Sequence, residues 1–274
     1  MKIRGRRRRE GMKRGVYMLP NLLTSASLFC GFYSVVKSLE GDFISAAWAI
    51  LLAGIFDLLD GRIARLAKAE SQFGIEYDSL VDLSSFGLAP GVLIYTWTLH
   101  SLHKLGWLAA FLYFACGALR LARYNVQHED VEQDYFQGLP IPVAAYVIAT
   151  YVIFHQFYFV FPPENSLALA GMTVTLALLM VSTIRYRSMK VVDIKSRNPF
   201  FVLVLLVIGI FIVAIRPEVM MLALTLCYLA SGLVEEAVTL RQSRQLLMRI
   251  RNGRPVDEGR PLEIVGGKDL EARG

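Results

Sequence analysis

Cysteine is scarce. The 274-residue chain has only Cys30, Cys116 and Cys227, far apart and without paired spacing. That excludes a disulfide framework and the closely spaced Cys pairs of zinc or redox motifs. Each lies in an apolar segment, where the expected role is a small buried hydrophobe. Charge is thin as well, at 19% of residues against 55% hydrophobic, with a mean hydropathy of +0.46. A soluble domain of ordinary composition is thereby excluded. No internal repeat stands out. A cleaved leader is not expected either: "SLFCG" faintly resembles a lipoprotein box, but Phe29 stands where a small residue is needed before Cys30. Pro20 and Asn21 also interrupt the apolar run, so an uncleaved first helix is expected.

What the chain has in quantity is apolar sequence. A bilayer-crossing helix needs roughly 20 mainly apolar residues. Eight stretches come close: 17–37, 43–63, 79–100, 105–124, 139–161, 165–184, 198–215 and 217–237. The expected fold is all-α, a polytopic membrane bundle of about eight transmembrane helices. It comprises a basic segment 1–16, a membrane domain 17–240 and a basic tail 241–274 whose "RQSRQLLMRIRNG" suits an amphipathic surface helix before a flexible end. Of the 29 Lys and Arg residues, all but Lys37, Lys104 and Arg216 fall on one side of such a bundle. Basic residues favour the cytoplasmic side, so both termini are expected in the cytoplasm of a multi-pass inner-membrane protein. The leader "RGRRRR" then reads as an orientation signal with affinity for anionic membrane lipid, not as a nucleic-acid site. Trp48, Trp97 and Trp107 are expected as interfacial anchors.

Against this background "FDLLDGRIARLAKAESQFGIEYDSLVD" (56–82) is anomalous, because it places Asp57, Asp60, Asp78 and Asp82 in apolar surroundings. At about 100° per residue, Asp57, Asp60, Gly61, Ala64 and Arg65 share one helix face. Asp78 and Asp82, four apart, share a face of the next helix, with Ser85 close by. A hairpin of these helices would bring all four acids together just inside the cytoplasmic surface. Unpaired carboxylates at that depth are costly and normally pair, protonate or bind a cation. Oxygen ligands without His or Cys favour magnesium or manganese over zinc. Two such ions about 4 Å apart suit transfer at phosphorus, and the gap at Gly61 and Ala64 lets a ligand approach the backbone. The plainer alternative is that the acids pair with Arg62, Arg65 and Lys68.

The pattern Asp57-x2-Asp60-Gly61-x2-Ala64-Arg65-x8-Gly74-x3-Asp78-x3-Asp82 resembles, without departure, the signature of the CDP-alcohol phosphotransferases, membrane enzymes of phospholipid synthesis. The resemblance implies that Asp57, Asp60 and Asp78 hold a divalent metal pair. It makes Asp82 the general base, also touching a metal, and lines the nucleotide and diphosphate site with Gly61, Ala64 and Arg65, Gly74 shaping the connection. "LPNLLT" (19–24), "GALRLARYNV" (117–126), "GLPIPVAA" (138–145) and "MVSTIRYRSMK" (180–190) are similar to blocks of the phosphatidylserine synthase branch of that family. That branch implies CDP-diacylglycerol as donor, L-serine as acceptor, CMP as by-product and a homodimer.

The carboxylate of serine calls for Arg or Lys. Candidates are Arg120, Arg123, Arg185, Arg187 and Lys190, each of which can equally be a helix-end residue that serves topology. Asn21 and Thr24, one turn apart, can bond the nucleotide, or Asn21 can simply satisfy a helix end. Rival readings are the same chemistry with glycerol 3-phosphate or an inositol phosphate, an aspartate-lined cation transporter, and a purely structural membrane protein.

Overall fold

The computed structural model describes residues 3–67, 71–127, 135–159, 163, 166–187, 204, 215–232 and 234. The elements run α1 (Ile3–Glu40), α2 (Phe43–Ala67), α3 (Gln72–Asp82), a π turn (Leu83–Leu88), α4 (Ala89–Trp97), a 3-10 turn (Leu99–Leu102), α5 (Lys104–Gln127), β1 (Tyr135–Gln137), α6 (Ile141–Tyr158), α7 (Ser166–Val181) and β2 (Arg185–Arg187). A further helix, α8, spans Pro217–Gly232. Five segments are long and apolar enough to cross a membrane: Leu19–Glu40, Phe43–Leu66, Gln72–Trp97, Lys104–Val126 and Ile141–Tyr158. The expected sixth and eighth stretches appear as the shorter α7 and α8. The seventh, 198–215, and the amphipathic tail fall almost entirely outside the described residues.

Local chemistry explains the breaks. At the α1–α2 corner Gly41 has φ +83°, a conformation that costs residues with a Cβ, and Asp42 caps α2 by accepting from the Ser45 amide at 3.2 Å. Hydrogen bonds from Ser45 hold the Asp42 carboxyl below its ordinary range. Ser71 caps α3 in the same way, accepting from the Gly74 amide at 3.0 Å. These caps place the α2–α3 connection farther from Asp82 than the apolar pattern indicates. Arg62 and Arg65 ride on α2, and α3 starts at Gln72, so Asp78 lies inside α3 and Asp82 is its last residue.

Small residues let the helices close on one another. Ala46, Ala47 and Ala53 on α2 and Ala144, Ala145 and Ala149 on α6 are fully buried. Ile50, Phe86, Leu93, Ile94, Ile141 and Ile148 fill the core where α2, α4 and α6 meet. α1 crosses the π turn so closely that a Cβ on Gly31 would lie 2.8 Å from the Ser85 Cα.

The fold corrects several expectations. The described chain is helical except for one antiparallel ribbon, in which β1 pairs with β2, Tyr135 opposite Arg187 and Gln137 opposite Arg185. Trp97 is no interfacial anchor. It is buried and meets the rings of Tyr151 at 6.1 Å and His155 at 5.2 Å, whereas Trp48 and Trp107 are exposed. Cys30 and Cys116 are buried as expected; Cys227 is exposed on α8. Ser85 does not stay on the face of Asp82, because the π turn swings it to α1, where it donates to the Ser27 carbonyl at 3.1 Å.

Gly31→Ala should therefore force α1 away from the π turn. The expected loss is about 1–3 kcal/mol, the usual cost of overpacking, read as a lower melting temperature in detergent. An unchanged melting temperature would show that the crossing is looser than described.

Candidate active site

α2 carries Asp57 and Asp60, and α3 carries Asp78 one turn before Asp82. One oxygen each from Asp57, Asp60 and Asp78 lies within 4.8 Å of the others. The Asp82 carboxylate lies within hydrogen-bonding reach of Asp57. All four predicted acids therefore converge, with Asp82 one step removed from the group of three.

Three carboxylates at that separation repel by about 3 kcal/mol per pair at an effective dielectric near 20. No ion pair among the described residues joins a base to the trio: the ion pairs are Lys37–Glu40 and Arg216–Glu218, and neither includes one of the four acids. Arg62 and Arg65 are exposed, so the expectation that the acids merely pair with neighbouring basic residues fails for these two; Lys68 lies outside the described residues. Asp60 Oδ2 and Asp82 Oδ1 are buried with no hydrogen-bond partner. Orphaned carboxylate oxygens in an all-oxygen cluster fit a hard divalent cation such as Mg2+ or Mn2+.

The walls are built from several helices. Thr24 on α1 faces Asp60 and donates to the Pro20 carbonyl at 3.0 Å. Asn21 sits against Gly74, where an added Cβ would lie 3.6 Å from its Oδ1. Because α1 runs unbroken through Pro20, Asn21 is not satisfying a helix end. Gly61 opens on free space, since a Cβ there would meet only Arg65 Nη1 at 4.0 Å. Ala64, beside it, is half-buried. From α5, Arg120 is buried at 8% exposure, its Nε without a partner and its charge facing Asp82. Arg123, half-buried, does not share that position. Arg185 and Arg187 are placed by backbone on β2; their side chains and all of Lys190 lie outside the described residues.

Three tyrosines escaped the sequence reading. Tyr146 on α6 puts its hydroxyl where a Cβ of Gly54 would stand, and interacts with Asp57 and Asp82. A signal existed, since Gly54 lies one turn before Asp57. Tyr124 on α5 neighbours Arg120, Arg65, Asp78 and Asp82, and Tyr228 on α8 faces Arg120. Tyr124 lies inside the block "GALRLARYNV"; nothing in the sequence singles out Tyr228.

Fold and site together define a membrane-embedded protein built around a buried acidic centre suited to a divalent cation. The model of the CDP-alcohol phosphatidyltransferase family matches residues 17–181. A CDP-diacylglycerol-serine O-phosphatidyltransferase of Helicobacter pylori (strain J99) is 35% identical over 219 residues, 80% of this chain and 91% of its own. The enzyme of that name from Bacillus subtilis (strain 168) is 34% identical over 172 residues, 63% of this chain and 91% of its own. An archaetidylserine synthase of Methanothermobacter thermautotrophicus is 36% identical over 170 residues, 61% of this chain and 69% of its own. The chain belongs to the CDP-alcohol phosphatidyltransferase family, membrane enzymes that transfer a phosphatidyl-type group.

Replacing Asp60 by Asn should weaken Mn2+ binding at least about tenfold, the range seen even for outer-shell losses. Asp82→Asn, outside the close trio, should leave that affinity within about threefold. Electron paramagnetic resonance titration checks both; equal losses in the two variants would refute the division.

Proposed function

We propose that this enzyme transfers the phosphatidyl group of CDP-diacylglycerol to the hydroxyl of L-serine and releases CMP. One observation carries the reading: Asp82 neighbours both the carboxylate cluster, through Asp57, and the buried guanidinium of Arg120. A base and a cationic acceptor contact thus flank one point. The choice of serine is supported by relatives named for serine transfer that match over most of the chain.

Asp82 accepts the proton of the serine hydroxyl as that oxygen attacks the phosphorus next to the lipid. The new oxygen–phosphorus bond forms while the bond to CMP breaks, and CMP leaves with the electron pair. Two Mg2+ or Mn2+ ions held by Asp57, Asp60 and Asp78, with Asp82 at their edge, would polarise the diphosphate and offset its developing charge. The cytidine diphosphate head lies over the open face at Gly61 and Ala64, with Arg65, Gly74, Asn21 and Thr24 around it. Arg120 binds the serine carboxylate as a planar fork. Arg123, Arg185, Arg187 and Lys190 are the further candidates for the serine carboxylate. With base and acceptor contact side by side, direct attack in a ternary complex needs no phosphatidyl-enzyme.

The wider setting belongs to the same proposal: eight spanning helices, a homodimer, and both termini and the active site on the cytoplasmic face of the inner membrane. The one-sided distribution of basic residues supports that orientation.

Purified protein in detergent, given CDP-diacylglycerol, Mn2+ or Mg2+ and labelled L-serine, should form labelled lipid and CMP. In a parallel tube glycerol 3-phosphate should give none. CMP release with glycerol 3-phosphate alone would overturn the choice of acceptor, and none with any alcohol would favour cation transport. Asp82→Asn should lower kcat by roughly 10²–10⁴, the usual contribution of a positioned base. Arg120→Lys, which keeps the charge but loses the fork, should raise KM for serine more than KM for CDP-diacylglycerol; equal rises would place Arg120 outside the acceptor pocket.

A further inference from the structure

Pro90 lies in the first turn of α4, four residues beyond Phe86. Proline has no N–H, so the Phe86 carbonyl cannot receive the bond that a regular helix would supply, and the ring crowds that carbonyl. The chain resolves the conflict with the π turn Leu83–Leu88, at whose end the Ala89 amide reaches back five residues to the Ser84 carbonyl. Such turns occur frequently at functional sites. This one starts directly after Asp82.

The Phe86 carbonyl has a partner on another helix. Tyr113 of α5, fully buried, donates its hydroxyl to the Phe86 carbonyl at 3.1 Å. Around it the turn is clamped: Ser85 donates to the Ser27 carbonyl, and the Phe86 ring meets Tyr146 edge-on at 6.1 Å. The helix on either side is anchored as well. Beyond the turn, Ala89, Leu93 and Ile94 are fully buried. Before it, Tyr77 shares a hydrogen bond with Ser25 at 2.9 Å, and Asn125 donates to Ser79 at 3.1 Å. Those bonds hold the turn that carries Asp78. Between the two anchored stretches, Asp82 is the acidic residue whose direction depends on the π turn.

We propose that Tyr113 is a positioning residue for the transfer reaction: by holding the Phe86 carbonyl, to which Pro90 offers no N–H, it keeps the π turn on which Asp82 abuts and so its aim toward Asp57 and Arg120. The proposal rests on the reading of Asp82 as the base. Losing the hydroxyl strands a buried carbonyl and loosens the turn, while the anchored Asp78 and the α2 acids stay in place. Asp82 is the last residue of α3 and abuts the turn, so a turn that relaxes leaves the aim of Asp82 at the cluster unfixed.

The test is a two-variant cycle read by kcat for CMP release with serine, Mn2+ affinity and melting temperature. Tyr113→Phe should lower kcat at least tenfold while the Mn2+ dissociation constant stays within threefold. In Tyr113→Phe with Pro90→Ala, the new amide at residue 90 can serve the Phe86 carbonyl, so the melting temperature should return to that of the wild type. Turnover should stay down at least tenfold, because the donor is replaced but the π turn is not. A merely structural tyrosine would let kcat return together with stability, and that result, or a Tyr113→Phe enzyme within twofold of wild type, overturns the proposal. Should Tyr113→Phe alone not survive purification, the double variant decides by the same criterion. Wild-type protein that releases no CMP with serine would refute the proposed reaction, and this role with it; an active wild type beside an equally active Tyr113→Phe refutes the role alone.

Discussion

The arrangement depends on the mutual repulsion of carboxylates held close together in a poorly hydrated place. Asp57, Asp60 and Asp78 present oxygens within 4.8 Å of one another, with Asp82 in reach of Asp57. Such a group is unfavourable by several kcal/mol until positive charge arrives. The requirement for countercharge and the capacity for phosphoryl chemistry are one property of the site. Arg120, buried and facing Asp82, offsets part of the charge from one side, and leaves the centre of the trio to a cation.

Holding like charges together demands a rigid frame, and the frame is made by close helix approach. α1 lies on the π turn at Gly31, Tyr146 fills the notch at Gly54, and alanine faces on α2 and α6 bring those helices into contact. Each of these contacts lies within a few turns of an active-site aspartate. The bundle thus spends its smallest residues where a bulky side chain would spread the acids apart.

The aspartates were legible because helical spacing alone puts them on two facing surfaces, and because acids in an apolar run have few other purposes. Five membrane-length helices were legible from hydropathy, within about three residues at their ends except for the third, which begins at Gln72 and not at 79 because polar residues open it. What could not be read is what depends on contact between distant segments. The β1–β2 ribbon pairs residues about 50 apart, each strand only three residues long. Ser85 was expected beside Asp82 because a regular helix was assumed; Pro90, four residues after Phe86, was the available sign that the helix is irregular. Trp97 looks like an interfacial tryptophan until Tyr151 and His155 are seen to enclose it. Arg120 and Arg123 were equivalent in sequence, and only the rotation of α5 separates the buried one from the half-buried one.

The chemistry described requires that the acidic cluster hold the reacting centre. Anomalous scattering at the manganese edge, from crystals grown with Mn2+ and CDP, locates the metal directly. Peaks among the carboxylates of Asp57, Asp60 and Asp78, with the diphosphate over Gly61, are the predicted result. Manganese bound elsewhere, with the four aspartates bare while CDP occupies its site, would contradict it.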